Sequence, residues 1–266
     1  MKRLLCAALL VAGAACTEVT TDPNAIVAVR FDGSAYPSIV ADDSLRDSLG
    51  ALQPLRATGL NYKGDPIEGA GFVFSSPDTV LRVFETGDVF ATRRKPDGTP
   101  ARVFATAGKL QSVPDSLFVV QRADSFKATK PADTIFVNPA IGGSSSDASR
   151  MIFSVFGDTA TGRPKAPVSS WLVSFQLRYH GTTIQPTDTS YAFTFELINN
   201  RRVGTYIDTT ESTGAASRRV FVRTLSVPED TVVLVATIRQ RTANSAPIKD
   251  STFIVRFARP GARTGR

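Results

Sequence analysis

Apolar and polar side chains alternate in short runs along residues 25–258 of the chain. Successive side chains of a β-strand point to opposite faces, so each run predicts a strand with one buried and one solvated face. The run WLVSFQLRY (171–179) follows this pattern over its whole length. Its predicted buried face consists of Trp171, Val173, Phe175, Leu177 and Tyr179.

The predicted strands are short and are separated by clusters of Gly, Pro, Asp and Ser. Turn signals at intervals of about ten residues are typical of antiparallel sandwiches and barrels. The single helical candidate is one turn within DDSLRDSLGAL (42–52). Strands are predicted over 26–31, 54–62, 71–76, 80–85, 101–107, 116–121, 134–139, 151–157, 171–179, 191–198, 218–224, 231–240 and 251–258.

The two halves of the chain share a local motif of strand, Gly-x-Pro turn and strand. GDPIEG (64–69) in the first half corresponds to GRPKAP (162–167) in the second, 98 positions later. Glycine and proline together define a turn between paired strands, and the separation matches the ~100 residues of an immunoglobulin-like sandwich. We therefore predict an all-β chain with two tandem immunoglobulin-like antiparallel β-sandwiches. The predicted divisions are sandwich 1 at 25–122, a linker at 123–130, sandwich 2 at 131–259 and a basic tail at 260–266.

The same motif carries a family resemblance. The strand–turn–strand order resembles the bacterial immunoglobulin-like domains of invasin- and intimin-type surface proteins, and ARVFATAGKLQSVPDSLFVV (101–120) resembles their closing strands. DTVVLVATIRQ (230–240) followed by DSTFIVRFA (250–258) resembles that ending more loosely. The resemblance implies adhesion, structural or protein–protein interaction roles without catalysis. The segment 180–217 is longer than the family pattern.

The first 15 residues predict an export signal. Lys2 and Arg3 precede an apolar run over 4–14, which is shorter than the ~20 residues that a membrane-spanning helix needs. A basic start, a short apolar core and a small-residue exit are typical of a cleaved signal peptide. The signal peptide is therefore predicted at 1–15.

The residues around Cys16 resemble the lipobox of bacterial lipoproteins, with Gly13 to Ala15 in the three preceding places. The resemblance implies cleavage before Cys16 and acylation of its thiol, which makes Cys16 the predicted lipidation site. The family usually has an aliphatic residue in the place of Gly13. The alternative is an ordinary secretory signal cleaved near Ala15, with Cys16 unmodified.

An acylated Cys16 implies a bacterial cell-envelope protein held at a membrane by its lipid anchor. Residues 16–24 are polar and rich in turn formers, so we predict a short tether there. Thr17 follows the cysteine in place of the aspartate associated with inner-membrane retention, which favours the outer membrane. Periplasmic and surface-exposed orientations both remain open.

Composition excludes several classes of protein. Cys6 lies within the predicted signal, so the mature chain has no pair of cysteines for a disulfide or a cysteine-rich metal site. The net charge of +7 falls to +5 without the signal, and no nucleic-acid-binding motif accompanies it. Nucleic acid is therefore not a predicted partner. The basic doublets are predicted to be solvated strand edges and turns: Arg93-Arg94, Arg201-Arg202 and Arg218-Arg219.

The chain contains no motif for catalysis, for a cofactor or for a transition metal. Its one histidine, His180, is predicted to be a polar turn residue. Calcium bound near the predicted linker remains an alternative, with Asp124, Asp133 and Asp147 as the nearest acids. Acids that precede a hydroxyl residue are predicted to support turns. They are Asp78, Asp115, Asp133, Asp188, Asp208, Asp230 and Asp250.

The sequence thus predicts a non-catalytic, lipid-anchored envelope protein whose partners are the membrane and other envelope proteins or glycans. Trp171, the single tryptophan, is predicted to pack in the core of a sandwich. A carbohydrate-binding module is the alternative, and it would require Trp171 or Tyr206 to be exposed. A hydrolase is the third hypothesis, and it would require two carboxylates ~5–10 Å apart in a cleft.

Overall fold

The computed structural model describes residues 22–95, 97–136, 149–157, 166–184, 195–198, 206–222, 231–239, 241 and 247–258. The regular elements within these ranges are β-strands. They are β1 (Ala28–Phe31), β2 (Ser38–Val40), β3 (Ala57–Leu60), β4 (Pro66–Ile67), β5 (Val73–Ser75), β6 (Leu81–Val83), β7 (Val89–Ala91), β8 (Ala101–Ala107), β9 (Leu110–Gln111), β10 (Asp115–Val120), β11 (Ala123–Ala128), β12 (Ala132–Phe136), β13 (Ser149–Gly157), β14 (Leu172–Tyr179), β15 (Thr182–Ile184), β16 (Phe195–Ile198), β17 (Ile207–Thr209), β18 (Ala215–Val222), β19 (Thr231–Arg239) and β20 (Pro247–Ala258). In this part of the chain, no helix has the length and apolarity needed to cross a membrane.

The first half of the chain folds around one apolar core. One sheet has the strand order β1-β3-β4, and the other has the order β2-β10-β8-β5 with β9 paired to β8. β6 and β7 form a separate hairpin. Side chains from both sheets and the hairpin meet in a shared cluster, which makes this half a β-sandwich. Fully buried members of the cluster are Ile39, Ala91, Ala101, Val103, Ala105 and Leu117.

The second half forms another sandwich. Its sheets have the orders β11-β13-β18-β16 and β12-β20-β19-β14-β15, with β17 paired to β14. Burial in strand β14 alternates residue by residue, as predicted, so one face of the strand packs in the core of the sandwich. Val173, Phe175 and Leu177 are at most 1% exposed, whereas Ser174, Gln176 and Arg178 face solvent.

Both sandwiches begin with the same crossover between sheets. β1 pairs antiparallel with β3, and β2 then pairs parallel with β10 in the opposite sheet. In the second half, β11 pairs antiparallel with β13, and β12 then pairs parallel with β20. The two halves are thus tandem immunoglobulin-like β-sandwiches, as predicted. Each contains one parallel pair that residue alternation does not reveal, because the period of two is the same in both pairings.

The predicted helical turn within residues 42–52 is wrong. This segment instead forms turns and two isolated bridges, Ser44 with Phe90 and Arg46 with Leu52. The Asp47 carboxylate accepts hydrogen bonds from the backbone N–H groups of residues 49 and 51 at 2.8 and 2.9 Å. Such local side-chain bonds to the backbone compete with helix formation and favour a turn.

The predicted linker at 123–130 is largely a strand, because β11 occupies residues 123–128 and pairs with β13 of the second sandwich. Only Gln121 and Arg122 lie between the last strand of sandwich 1 and β11. The other predicted boundaries stay predictions. The signal, most of the tether, the tail and residues 162–165 of the repeated turn lie outside the described ranges.

The basic doublets differ in their surroundings. Arg93 and Arg94 are exposed, as predicted, whereas the prediction is wrong for Arg218, which is only 2% exposed. The Arg218 guanidinium lies 2.6 Å from the Asp208 carboxylate and 5.1 Å from the centroid of the Phe175 ring. An ion pair and an aromatic face thus replace water around this charge. Arg201 and Arg202 lie outside the described ranges.

Of the acids predicted to support turns, Asp78 and Asp208 instead accept hydrogen bonds from backbone N–H groups of distant strands. Asp78 accepts a hydrogen bond from the Arg102 N–H at 2.8 Å, and this bond is the main cause of its lowered pKa. Asp208 accepts from the N–H groups of Thr209 and Ser217 at 2.9 and 3.0 Å. Asp188, Asp230 and the side chain of Asp250 lie outside the described part of the chain.

Replacing Gly87 should destabilise the first sandwich strongly. Gly87 has φ +90°, and a Cβ atom there would lie 2.7 Å from the Leu55 carbonyl oxygen. We expect Gly87→Ala to lower the free energy of unfolding by about 3 kcal/mol, since backbone collision adds to the cost of a left-handed conformation. Chemical denaturation of the folded chain measures this loss.

Gly108→Ala is the matched control, because Gly108 also has positive φ (+60°) but has open space where a Cβ would be placed. Its cost should be about 1–2 kcal/mol, from the left-handed conformation alone. Equal losses for the two variants would contradict the close approach of Leu55 to Gly87.

Candidate functional site at the junction of the two sandwiches

The predicted candidate residues do not converge on one site. Cys16 lies outside the described ranges. His180 is an exposed turn residue with φ 47°, and its ring stacks on Tyr179 at 4.2 Å between centroids. Asp133 pairs with Lys130 at 2.5 Å, Asp124 is exposed on β11, and Asp147 is not described. Within the described residues, no three carboxylate, imidazole or thiol groups gather as a metal site requires.

The aromatic side chains considered for sugar stacking are not exposed. Trp171 is completely buried, and Tyr206 is partly buried against the core of the second sandwich. The predicted burial of Trp171 is confirmed. Its surroundings are different from those expected, however, because it contacts Tyr36 of the first sandwich, with ring centroids 6.2 Å apart. Trp171 therefore lies where the two sandwiches meet.

The apolar core continues across the two sandwiches. Val40 at the end of β2 and Val120 at the end of β10 are 3% and 5% exposed, and both belong to the core cluster of the second sandwich. These ends lie side by side because β2 and β10 are paired. With only two residues before β11, the first sandwich is held directly against the second.

A buried arginine lies at the centre of this junction. Arg241 is 1% exposed, and its guanidinium carbon lies 3.6 Å from the centroid of the Tyr36 ring and 5.5 Å from that of Trp171. It donates hydrogen bonds to the Ser38 hydroxyl at 3.1 Å and to the Arg46 carbonyl at 2.9 Å. Except for Trp171, the groups that contact Arg241 belong to the first sandwich. Residues of sandwich 1 therefore replace water around a charged side chain of sandwich 2.

Two further hydrogen bonds join the sandwiches around Arg241. The Ser38 hydroxyl donates to the Ser170 carbonyl at 2.8 Å, and the Leu172 N–H donates to the Tyr36 hydroxyl at 2.6 Å. Tyr36, Ser38, Ser170 and Arg241 are called the junction network below. Residues of the junction network lie up to 205 positions apart in the sequence, and the fold brings them into direct contact.

The loop before β14 is shaped to present its backbone to the first sandwich. Ser170 has φ 55°, an uncommon conformation for a residue with a side chain. Thr210 fixes the loop, because its hydroxyl donates to the Val168 carbonyl at 2.7 Å and accepts from the Trp171 N–H at 2.9 Å. Gln121 adds a bond from its side-chain amide to the Ala166 carbonyl at 3.0 Å.

Burial changes the acid–base properties of the junction network. It lowers the pKa of Arg241 to about 10, and the nearby Tyr36 and Asp43 oppose this shift. Burial also raises the pKa of Tyr36 to about 12, against the effect of the Arg241 charge. Asp43 is already paired with Arg46 and Arg122, both at 3.2 Å. Among the described residues, Arg241 is therefore compensated by aromatic faces and neutral oxygens instead of a direct ion pair.

A cleft of about 280 Å³ opens beside the junction network. The first sandwich contributes Tyr36 and Ser48 to its lining. The second contributes the outer face of strands β14, β17 and β19. Its residues there are Leu172, Ser174, Gln176, Ile207, Thr237 and Arg239. We call this space the interdomain cleft.

The junction network has almost no signature in the sequence. Arg241 and Ser170 lie just outside strands, in polar surroundings that resemble ordinary loops, and Tyr36 and Ser38 precede or begin a strand that was not predicted. The single local signal is Trp171, whose predicted burial is correct. Its contact with the other sandwich depends on the arrangement of the two units.

No protein-family model and no curated protein sequence matches the chain. Among solved structures, it is similar to the Yersinia pseudotuberculosis adhesin InvE, with 11% identity, a TM-score of 0.30, and coverage of 85% of this chain and 58% of InvE. It is also similar to the D00-D0 domain of intimin, with 10% identity, a TM-score of 0.24, and coverage of 85% and 98%. TM-scores of this size do not establish a shared fold, so the fold assignment rests on the sheets and crossovers described above.

Replacing Arg241 with lysine should destabilise the protein although the charge is kept. A lysine ammonium lacks the planar fork that stacks on Tyr36 and reaches both Ser38 and Arg46. We expect Arg241→Lys to lower the free energy of unfolding by about 2–4 kcal/mol, measured by chemical denaturation.

Arg239→Lys is the control, because Arg239 is exposed two positions earlier. Its effect should stay within about 0.5 kcal/mol. An Arg241→Lys variant as stable as the wild type would show that the buried fork does not hold the junction.

The pKa of Tyr36 predicts a pH-dependent difference between the wild type and Tyr36→Phe. Because the folded-state pKa is raised from 10.0 to about 12, the unfolded chain loses this proton first as the pH rises. The tyrosine contribution to stability is therefore present below pH 10 and is lost as the pH rises toward 12. The variant lacks this loss, so its stability relative to the wild type should increase over that interval.

Urea denaturation of both chains at pH about 8 and about 11 measures this difference. The lowered pKa of Arg241 makes stability rise with pH in both chains, so that effect largely cancels in the comparison. A difference that stays constant with pH would contradict the burial of the Tyr36 hydroxyl.

Proposed function

We propose that the protein is a non-catalytic cell-envelope protein, anchored through an acylated Cys16, that displays its two sandwiches as one rigid unit for adhesion or protein–protein interaction. The observation that carries this proposal is the buried junction, in which Arg241 of the second sandwich is enclosed by Tyr36, Ser38 and Arg46 of the first. An interface that buries a charge with directional bonds holds one relative orientation.

A fixed orientation supports a display role because both sandwiches then present one continuous surface. Independent modules on a flexible linker would lose conformational entropy each time a partner bound both of them. Here Gln121 and Arg122 are the only residues between β10 and β11, and the apolar core extends across the junction through Val40 and Val120. The two units therefore lose most of their relative conformational freedom during folding, before a partner binds.

The sequence around Cys16 supports the anchored location that we propose, with the tether at 16–24 between the lipid and the first strand. Two or more acyl chains on one cysteine provide stable membrane attachment. The outer membrane is the proposed compartment, because Thr17 stands in place of the aspartate that favours inner-membrane retention.

The anchor can be tested by producing the full chain in a bacterium with an outer membrane and separating membrane from soluble fractions. We expect the wild type in the membrane fraction, with a mature N-terminus at an acylated Cys16 detected by mass spectrometry. Cys16→Ser should move to the soluble fraction because it lacks the thiol. Cys6→Ser is the matched control and should behave as the wild type, since residue 6 lies inside the removed signal.

An unmodified mature N-terminus at any residue other than Cys16 would overturn the anchor. The interaction role is tested in the same cells by amine-reactive cross-linking of intact envelopes. We expect the folded wild type to form discrete adducts with envelope or surface proteins. A wild type that reaches the envelope but forms no adducts would overturn the interaction role.

A further inference from the structure

We infer that the interdomain cleft binds an acidic peptide segment of a partner protein, with a ligand carboxylate on Arg239 and an adjacent aliphatic side chain against Leu172 and Ile207. The inference rests on the protein-interaction role proposed above, and it names the site and the chemistry of the ligand. It depends on the positive charge of Arg239, on the aliphatic side chains of Leu172 and Ile207, and on the polar residues that line the rest of the cleft.

The cleft exists only where both sandwiches are present. Tyr36 and Ser48 form the side contributed by the first sandwich, and the outer face of β14 and β19 forms the other. Ser174 and Thr237 lie opposite each other across these strands. Hydroxyl and amide side chains on a sheet face can donate to and accept from an extended peptide backbone.

The charged residue in the lining of the cleft is positive. Arg239 is exposed and is the only charged residue among those that line it. Arg178 lies at the margin, where its guanidinium donates to the Gln176 side-chain oxygen at 3.2 Å. Arg241 lies behind the Tyr36 ring, where Asp43 and Asp47 partly offset its charge. A guanidinium at such a site matches the planar geometry of a carboxylate.

The acids closest in sequence to the cleft residues are engaged elsewhere. Asp47, next to Ser48, accepts hydrogen bonds from two backbone N–H groups and from the Gln53 side chain. Asp208, next to Ile207, pairs with the buried Arg218. Neither acid forms an ion pair with Arg239 among the described residues, so the Arg239 guanidinium can pair with an external anion.

The apolar part of the cleft favours a peptide over an acidic glycan. Ile207 is 55% exposed, and Leu172 is partly buried beside it, so an aliphatic wall stands next to the charged group. Sugar rings are commonly bound on exposed aromatic faces, whereas Tyr36 is only 2% exposed. In a ligand peptide, an acidic residue followed by an aliphatic one would pair with Arg239 and pack against Leu172 and Ile207.

The test uses the full chain with Cys16→Ser to keep it soluble, and isotope-labelled NMR spectra to detect binding. The probes are three N-acetylated, C-amidated peptides: GGELGG, GGKLGG and GGEGGG. We expect GGELGG to shift signals of β14, β17 and β19, GGKLGG to have no effect, and GGEGGG to bind more weakly because it lacks the aliphatic side chain. Arg239→Gln should weaken GGELGG binding about tenfold, the equivalent of one charge-assisted hydrogen bond.

Arg256→Gln is the matched control, because it removes the same charge from an exposed strand position outside the cleft, and its binding should equal that of the parent chain. Absence of GGELGG binding, or equal loss in both variants, would overturn the inference. Stronger binding of trigalacturonic acid than of GGELGG would also overturn it, in favour of a glycan site. Each of these outcomes leaves the envelope cross-linking test unaffected, so failure of the cleft and failure of the interaction role are distinguishable.

Discussion

The Arg241 guanidinium is the charge on which the arrangement of the two sandwiches depends. A buried guanidinium retains the need for partners that water otherwise supplies, and leaving it uncompensated is costly. Here the Tyr36 ring, the Ser38 hydroxyl and the Arg46 carbonyl replace water, and all three belong to the other sandwich. Separation of the sandwiches would therefore remove the partners of this charge as well as expose apolar surface.

Directional bonds explain why the junction has one geometry. Burial of Val40 and Val120 is favourable but non-directional, and apolar contact alone would permit rotation of one sandwich on the other. The planar fork of Arg241 meets two oxygens and an aromatic face at once. The bonds from Ser38 to the Ser170 carbonyl and from the Leu172 N–H to Tyr36 add two more constraints. The interdomain cleft follows from this geometry, since it needs walls from both sandwiches.

Much of the fold, but little of the candidate site, was predictable from the sequence. The residues of β8 and β14 fall in the predicted strands, and the buried face of β14 is the predicted one. Parallel pairing of β2 with β10 was not predictable, because strand alternation carries no information about the neighbouring strand. Arg218 shows the corresponding limit for polar residues. Its position in a basic doublet indicates solvent, yet Asp208 and Phe175 surround it in the folded chain.

Residue alternation and turn spacing are enough to specify an all-β chain with two sandwich-sized units and to assign side chains to inner and outer faces. Which outer or loop residues become buried depends on the residues that the other sandwich places against them, and alternation carries no information about that. Trp171 and Arg241 illustrate both parts. Burial of Trp171 was expected from its apolar character. Arg241 is buried because Tyr36, some 200 positions earlier in the chain, covers it. A period of two specifies faces, and contacts between distant segments specify the site.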